Sequence, residues 1–194
     1  MELIENNGAP KPPKRRKKSY ALSRMKYLTP DEVGALEATL LRNLSKPAHF
    51  RDALLISIAL HTGGRALEVL NLKVRDFDPR AQSIYITGIK GSRDREVPIP
   101  KWLAIEIQAF IKAKGPQDRL FDISYPRLRQ IWLIYRPANK VFHSLRHTFA
   151  LRVYLRTKDV RLLQFALGHK SILNTIIYVD YVHSMSELRR ILGE

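Results

Sequence analysis

Apolar residues recur along the chain with two different spacings, and the change from one to the other divides it. From Thr29 to Leu70 the spacing is helical. Thr29-Pro30-Asp31-Glu32 carries the marks of a helix start: a Thr able to cap, a Pro at the first helical position and a Glu to complete a capping box. This predicts a first helix to about Leu44. A second, from about Ala48, has the run Ala53 to Leu60 as its buried face and stops at Gly63-Gly64, and a third, short helix follows through Leu70. Between Val74 and Pro100 the period changes. Ser83 to Thr87 alternates at period two, Gly88 to Asp94 has the composition of a turn, and Glu96 to Ile99 supplies a returning strand, so a hairpin or three-stranded sheet is expected. Helical spacing resumes after Pro100 and predicts segments over 102–113, 125–135, 142–156, 160–167, 172–181 and 186–192. The fold class that follows is mainly α with one small antiparallel sheet (α+β), without internal repeats.

Residues 8 to 18 break both patterns. They run from a Pro-rich stretch into Lys14, Arg15, Arg16, Lys17 and Lys18, a composition that cannot supply apolar contacts to offset chain ordering. Residues 1–28 are therefore expected to form a flexible basic arm whose cations track DNA phosphates, and residues 29–194 the folded domain. Charge strengthens that expectation: 34 Lys and Arg against 18 Asp and Glu leave a net +16, which favours a polyanionic partner, nucleic acid before acidic membrane. The longest apolar run, Ala53 to Leu60, is far short of a bilayer span, and the opening Met1-Glu2-Leu3-Ile4-Glu5 carries acid where a secretory signal needs base. A cytoplasmic, nucleoid-associated protein without membrane attachment is expected. The absence of cysteine removes disulfides, thiolate metal sites and thiol catalysis, so any nucleophile must be oxygen or nitrogen.

Candidate chemistry collects in four places. His143, Arg146 and His147 share about one helical turn. Two His at i and i+4 raise the question of zinc, but Ser144 stands where the zinc-protease motif needs its Glu, and Arg146 would repel a divalent cation, so no metal is expected. A guanidinium beside imidazole suits a phosphate instead, with His147 read as a packed core histidine. Arg65 follows Gly63-Gly64, a turn that permits close approach to a ligand, and Glu68 lies one turn on; alone, that pair reads equally as a local ion pair. Lys90 and Arg93 stand in the hairpin turn, where charged side chains are often simply solvated. The last place is Leu167-Gly168-His169, followed nine residues later by Tyr178.

Thr62-Gly63-Gly64-Arg65-Ala66-Leu67-Glu68, Gly88-Ile89-Lys90-Gly91, His143-Ser144-Leu145-Arg146-His147 and Leu167-Gly168-His169 with Tyr178, in this order and spacing, resemble the tyrosine recombinases of the lambda-integrase family. The resemblance runs from Leu28 to the C-terminus and implies their catalytic-domain fold, a DNA breaking and rejoining fold. It also implies roles. Tyr178 would attack the scissile phosphodiester and form a 3′-phosphotyrosine, Arg65 and Arg146 would hold the non-bridging oxygens, and His143 and His169 would fill the two histidine positions. Lys90 would protonate the leaving 5′ oxygen, and Glu68 would orient the basic groups. Arg93 would contact DNA, and His147 would be a packing residue. The family acts on double-stranded DNA as a tetramer on paired sites, sometimes with accessory DNA-bending proteins, and uses neither metal, ATP nor another cofactor.

Elementary chemistry agrees with such roles. A phosphodiester nearing five-coordination gathers charge on its equatorial oxygens, which preplaced Arg and His donors stabilise. A phenol with an ordinary pKa near 10 needs a proton acceptor to attack at neutral pH. Tyr181, three residues beyond Tyr178, is the rival nucleophile. Two departures from the family stand out: no N-terminal core-binding domain is evident, which likens the chain to short recombinases that invert promoters, and Gly64 replaces a usually apolar residue. Competing functions are a catalytically silent DNA-binding regulator of the same fold and a type IB topoisomerase. For the segment 186–192, docking on a neighbouring protomer and capping of its own core are both open.

Overall fold

A computed structural model describes residues 21–89 and 91–193. The arm cations Lys14, Arg15, Arg16, Lys17 and Lys18 and the hairpin Lys90 lie outside the described residues. Helices α1 (Pro30–Leu44), α2 (Pro47–Thr62) and α3 (Ala66–Leu70) follow the apolar spacing closely. Thr29 caps α1 and Glu32 returns the bond to the Thr29 amide, the reciprocal arrangement the sequence announces. Helix α2 is apolar all round because it is buried all round: Ala53 to Leu60, Ser57 included, are at most 1% exposed. Ser57 returns its hydroxyl to the Ala53 carbonyl, which satisfies it inside the core. Helices α1, α4 (Lys101–Ile111) and α6 (Ser144–Thr157) pack around α2.

Strands β1 (Phe77–Asp78), β2 (Ser83–Ile86) and β3 (Arg95–Pro98) form an antiparallel sheet in the order β1-β2-β3, with Ile84 opposite Val97 and Ile86 opposite Arg95. β3 lies at the edge, where Pro98 costs no ladder bond. Alternation along β3 turns Arg95 and Val97 inward and Glu96 outward. Helix α5 (Tyr125–Tyr135) adds Leu128, Ile131 and Trp132 to the main core, and α7 (Val160–Leu167) packs on a second, smaller core between α6, α7 and the last helix, built on Leu151, Tyr154, Leu163, Leu167, Tyr178 and Val182.

Two expectations change. The segments 172–181 and 186–192 are one helix, α8 (Leu173–Leu192). The stretch His183 to Ser186, polar except for Met185, reads as a break but contains neither Gly nor Pro, and its residues cost a helix less than about 0.7 kcal/mol each. Leu188, Ile191 and Leu192 project into solvent and do not cap their own core. The folded body also begins before residue 29. Leu22 is buried in the second core, the Leu28 amide bonds the Thr148 hydroxyl, and the Tyr27 hydroxyl meets that of Tyr181 at 2.8 Å. The buried Lys140 ammonium fastens this stretch by donating to the Arg24 and Tyr27 carbonyls and to Glu32.

Candidate active site

Glu68 is the centre from which the site is built. It is the third residue of α3, and its carboxylate reaches back to the Arg65 amide at 2.9 Å, so the helix start itself orients it. Oε1 accepts from Arg65 Nη1 at 3.0 Å and from the Ser92 hydroxyl at 2.9 Å, and Oε2 accepts from Arg95 Nη2 at 2.7 Å. Arg146 Nη1 stands 3.9 Å from Oε2. Burial alone would raise the Glu68 pKa. The hydrogen bond and charge of Arg95, the Arg65 amide and the Arg146 cation outweigh it and hold the carboxyl at about 2.

Arg146 is 2% exposed and depends on more than that carboxylate. Its Nη1 donates to the Gly63 carbonyl at 2.8 Å and its Nη2 to the Leu167 carbonyl at 2.6 Å. These are the C-terminal ends of α2 and α7, where unpaired carbonyls and the negative pole of the helix favour a cation. Both helices stop on a glycine in the left-handed conformation, Gly63 at φ 61° and Gly168 at φ 65°. A Cβ on Gly63 would lie 2.4 Å from the Phe149 ring, and one on Gly168 would lie 2.6 Å from the Arg93 carbonyl. At Gly64 a Cβ would lie 2.8 Å from Val69 Cγ2, so the space beside this residue is already filled.

The hairpin and the turn after α7 meet through the Arg93 amide, which donates to the Gly168 carbonyl at 2.8 Å, while the Arg93 side chain is exposed. His169 is buried there with Nδ1 2.9 Å from the Thr175 hydroxyl. Burial, then the Arg146, Arg65 and Arg95 cations, push its pKa down to about 3, so it is neutral at pH 7. His143 has an open edge, yet packing around its ring and the cations of Arg146 and Arg65 hold it below the ordinary histidine range. An open cleft of about 350 Å³ is lined by Arg65, His143, Tyr125 and Ile89, among others. A larger groove of about 500 Å³ lies between α1, α6 and α8, and none of the site residues expected from sequence lines it.

Tyr178 is 2% exposed, and its hydroxyl lies 2.9 Å from His147 Nδ1 and within the field of Arg146. Tyr181 faces away, toward Tyr27 and the larger groove. Arg65, Glu68, Arg146, His143, His169 and Tyr178 are thus brought together from four separated stretches. Sequence reasoning missed Arg95, Ser92 and Thr175, and it did not foresee that His147 touches the Tyr178 hydroxyl. An Arg at an inward position of an alternating strand was the available signal for Arg95; Ser92 and Thr175 carry none. Among the described residues, no group of three or more His, Asp or Glu could hold a metal ion, and no helix is long and apolar enough to cross a membrane.

Residues 26–184 match the sequence model of the phage integrase family. The chain belongs to the phage integrase family. It is 31% identical over 190 residues to tyrosine recombinase XerA of Thermococcus kodakarensis, an alignment covering 87% of this chain and 66% of that protein. Among solved structures, it is similar to the XerH site-specific recombinase bound to difH substrate in a pre-cleavage complex (25% identity, TM-score 0.65, 83% of this chain and 52% of that one). It is also similar to the catalytic domain of bacteriophage HP1 integrase (26% identity, TM-score 0.59, 84% and 94%). The chain spans roughly half to two thirds of the curated tyrosine recombinases first matched. The likeness therefore falls on the catalytic domain of this phage integrase family member's relatives.

Proposed function

We propose that this chain cuts and rejoins duplex DNA at specific sites through a covalent 3′-phosphotyrosine at Tyr178. The observation that carries the reading is that Arg65 and Arg146 share the buried Glu68 carboxylate, that the same two cations act on His143 and His169, and that Tyr178 lies within the field of Arg146. A phosphodiester in the cleft beside Arg65 and His143 has its non-bridging oxygens held by Arg65 and Arg146, with His143 and His169 as further donors. Glu68 and Arg95 orient those guanidinium groups. Lys90 protonates the leaving 5′ oxygen, and the new ester retains the energy needed for rejoining, so no metal, nucleotide or other cofactor takes part. Double-stranded DNA is the partner, read by a tetramer on paired sites, with Lys14, Arg15, Arg16, Lys17, Lys18 and Arg93 adding phosphate contacts.

A nicked suicide duplex tests this. The wild-type protein should form a covalent adduct, Tyr178→Phe should form none, and Tyr181→Phe should retain it. An adduct that persists in Tyr178→Phe and vanishes in Tyr181→Phe transfers the role to Tyr181, and no adduct in the wild type leaves only DNA binding. A plasmid with two target sites separates recombination from the supercoil relaxation of a type IB topoisomerase.

A further inference from the structure

Among the described residues, His147 lies within hydrogen-bonding distance of the Tyr178 hydroxyl, although its position in the motif suggests only packing. Nδ1 and the phenol oxygen are 2.9 Å apart, the rings are 5.8 Å apart, and both side chains are buried, so the imidazole is fixed against the phenol. The His143 ring stands edge-on to it at 4.7 Å. We infer that His147 is the catalytic base that takes the phenol proton of Tyr178, and that the DNA phosphate itself raises its basicity. This rests on the strand-transfer reading above. In the step, the Tyr178 oxygen bonds to phosphorus while the bond from phosphorus to the 5′ oxygen breaks. The phenol proton passes to His147 Nδ1, and the leaving 5′ oxygen takes a proton from the Lys90 ammonium.

The surroundings of His147 explain why the substrate is needed. It is faced by His143 and Arg146 from its own helix, by Tyr178 from α8, by His169 from the turn before α8 and by Lys26 from the N-terminal turn. Burial first, then His143, Arg146, Lys26 and His169, push its pKa down to about 3. The imidazole is therefore uncharged at pH 7 and able to accept a proton, but the same field makes the imidazolium costly. A phosphodiester seated on Arg65 and Arg146 adds a negative charge to that field and favours the imidazolium. Proton transfer is then promoted only when a target lies in the cleft.

His147→Asn is the informative change, because its amide oxygen can accept the phenol hydrogen bond but cannot keep a proton. Single-turnover cleavage of the suicide duplex at saturating DNA should fall by about 10²- to 10⁴-fold, with DNA affinity and melting temperature retained. A duplex with sulfur in place of the bridging 5′ oxygen, whose thiolate leaves without a proton, should restore Lys90→Ala and leave His147→Asn slow. Cleavage by His147→Asn within about threefold of wild type, or its rescue by the sulfur substrate, would overturn the assignment. Should the variant fail to fold, the His147 titration followed by NMR in Tyr178→Phe decides. Its midpoint must rise on binding a duplex with a normal scissile phosphate, and not with a neutral methylphosphonate there; equal midpoints refute the inference. An adduct formed by Tyr178→Phe would instead defeat the strand-transfer reading itself.

Discussion

The two sides of the site are held by different forces. On one, Arg65, Arg95 and Arg146 share a single buried carboxylate, and charge-assisted bonds and helix ends fix every member. On the other, neutral bonds of 2.9 Å, His147 to Tyr178 and His169 to Thr175, join imidazoles that are kept uncharged. A buried ion network cannot be loosened one member at a time without stranding a charge, whereas a neutral bond can be exchanged for another at small cost. On the proposed reading, the first arrangement suits groups that stay aimed at one phosphate, and the second suits a nucleophile and proton carriers that change partners during the reaction.

The largest effect should come from breaking the charged side. Glu68→Ala strands Arg95, whose Nε and Nη1 have no hydrogen-bond partner among the described residues, and should cost about 3–5 kcal/mol, seen as a lower midpoint in urea melts. If the loss is under about 1 kcal/mol, the arginines do not depend on that carboxylate. Acid should separate the two sides in order. The buried His147 and His169 have folded pKa values depressed below the ordinary value of 6.5, so their contribution is complete above that pH and drains away as pH falls from 6.5 toward 3. Glu68, at about 2 against an ordinary 4.5, holds its contribution until pH falls below 4.5. Stability followed by circular dichroism should therefore decline in two stages, and Glu68→Gln should remove only the lower one. On the neutral side, Thr175→Val should cost only about 1 kcal/mol, as should Tyr27→Phe at the Tyr181 contact outside the site. Deleting residues 1–18 should leave the melting temperature unchanged while flattening the log-log salt dependence of DNA binding by about 0.9 for every phosphate that the shortened chain no longer neutralises.

The same contrast explains what could be read from the chain before it was seen folded. Helix starts such as Thr29 to Glu32 and stops such as Gly63 and Gly168 are local, and they fell where the residues put them. The positions of Arg65, Arg146, His169 and Tyr178 were legible through motif and spacing. Their partners were not, because a tertiary bond has no local signature: nothing around Ser92 or Thr175 distinguishes either from a surface hydroxyl, and Lys140 looks like a solvated loop lysine although it is 7% exposed. Leu22 was obscured by its basic neighbours, and the apparent gap in the last helix came from weighing polarity above the lack of any helix breaker.

That last helix has a mechanical implication. From Leu173 to Leu192 it runs about 30 Å without Gly or Pro, so it has no built-in joint. The Tyr178 phenol rides near one end of this rod, and three bare aliphatic side chains, Leu188, Ile191 and Leu192, ride near the other. A pull or twist applied at the outer end has nowhere to dissipate along the shaft, and so it arrives at the phenol as a displacement.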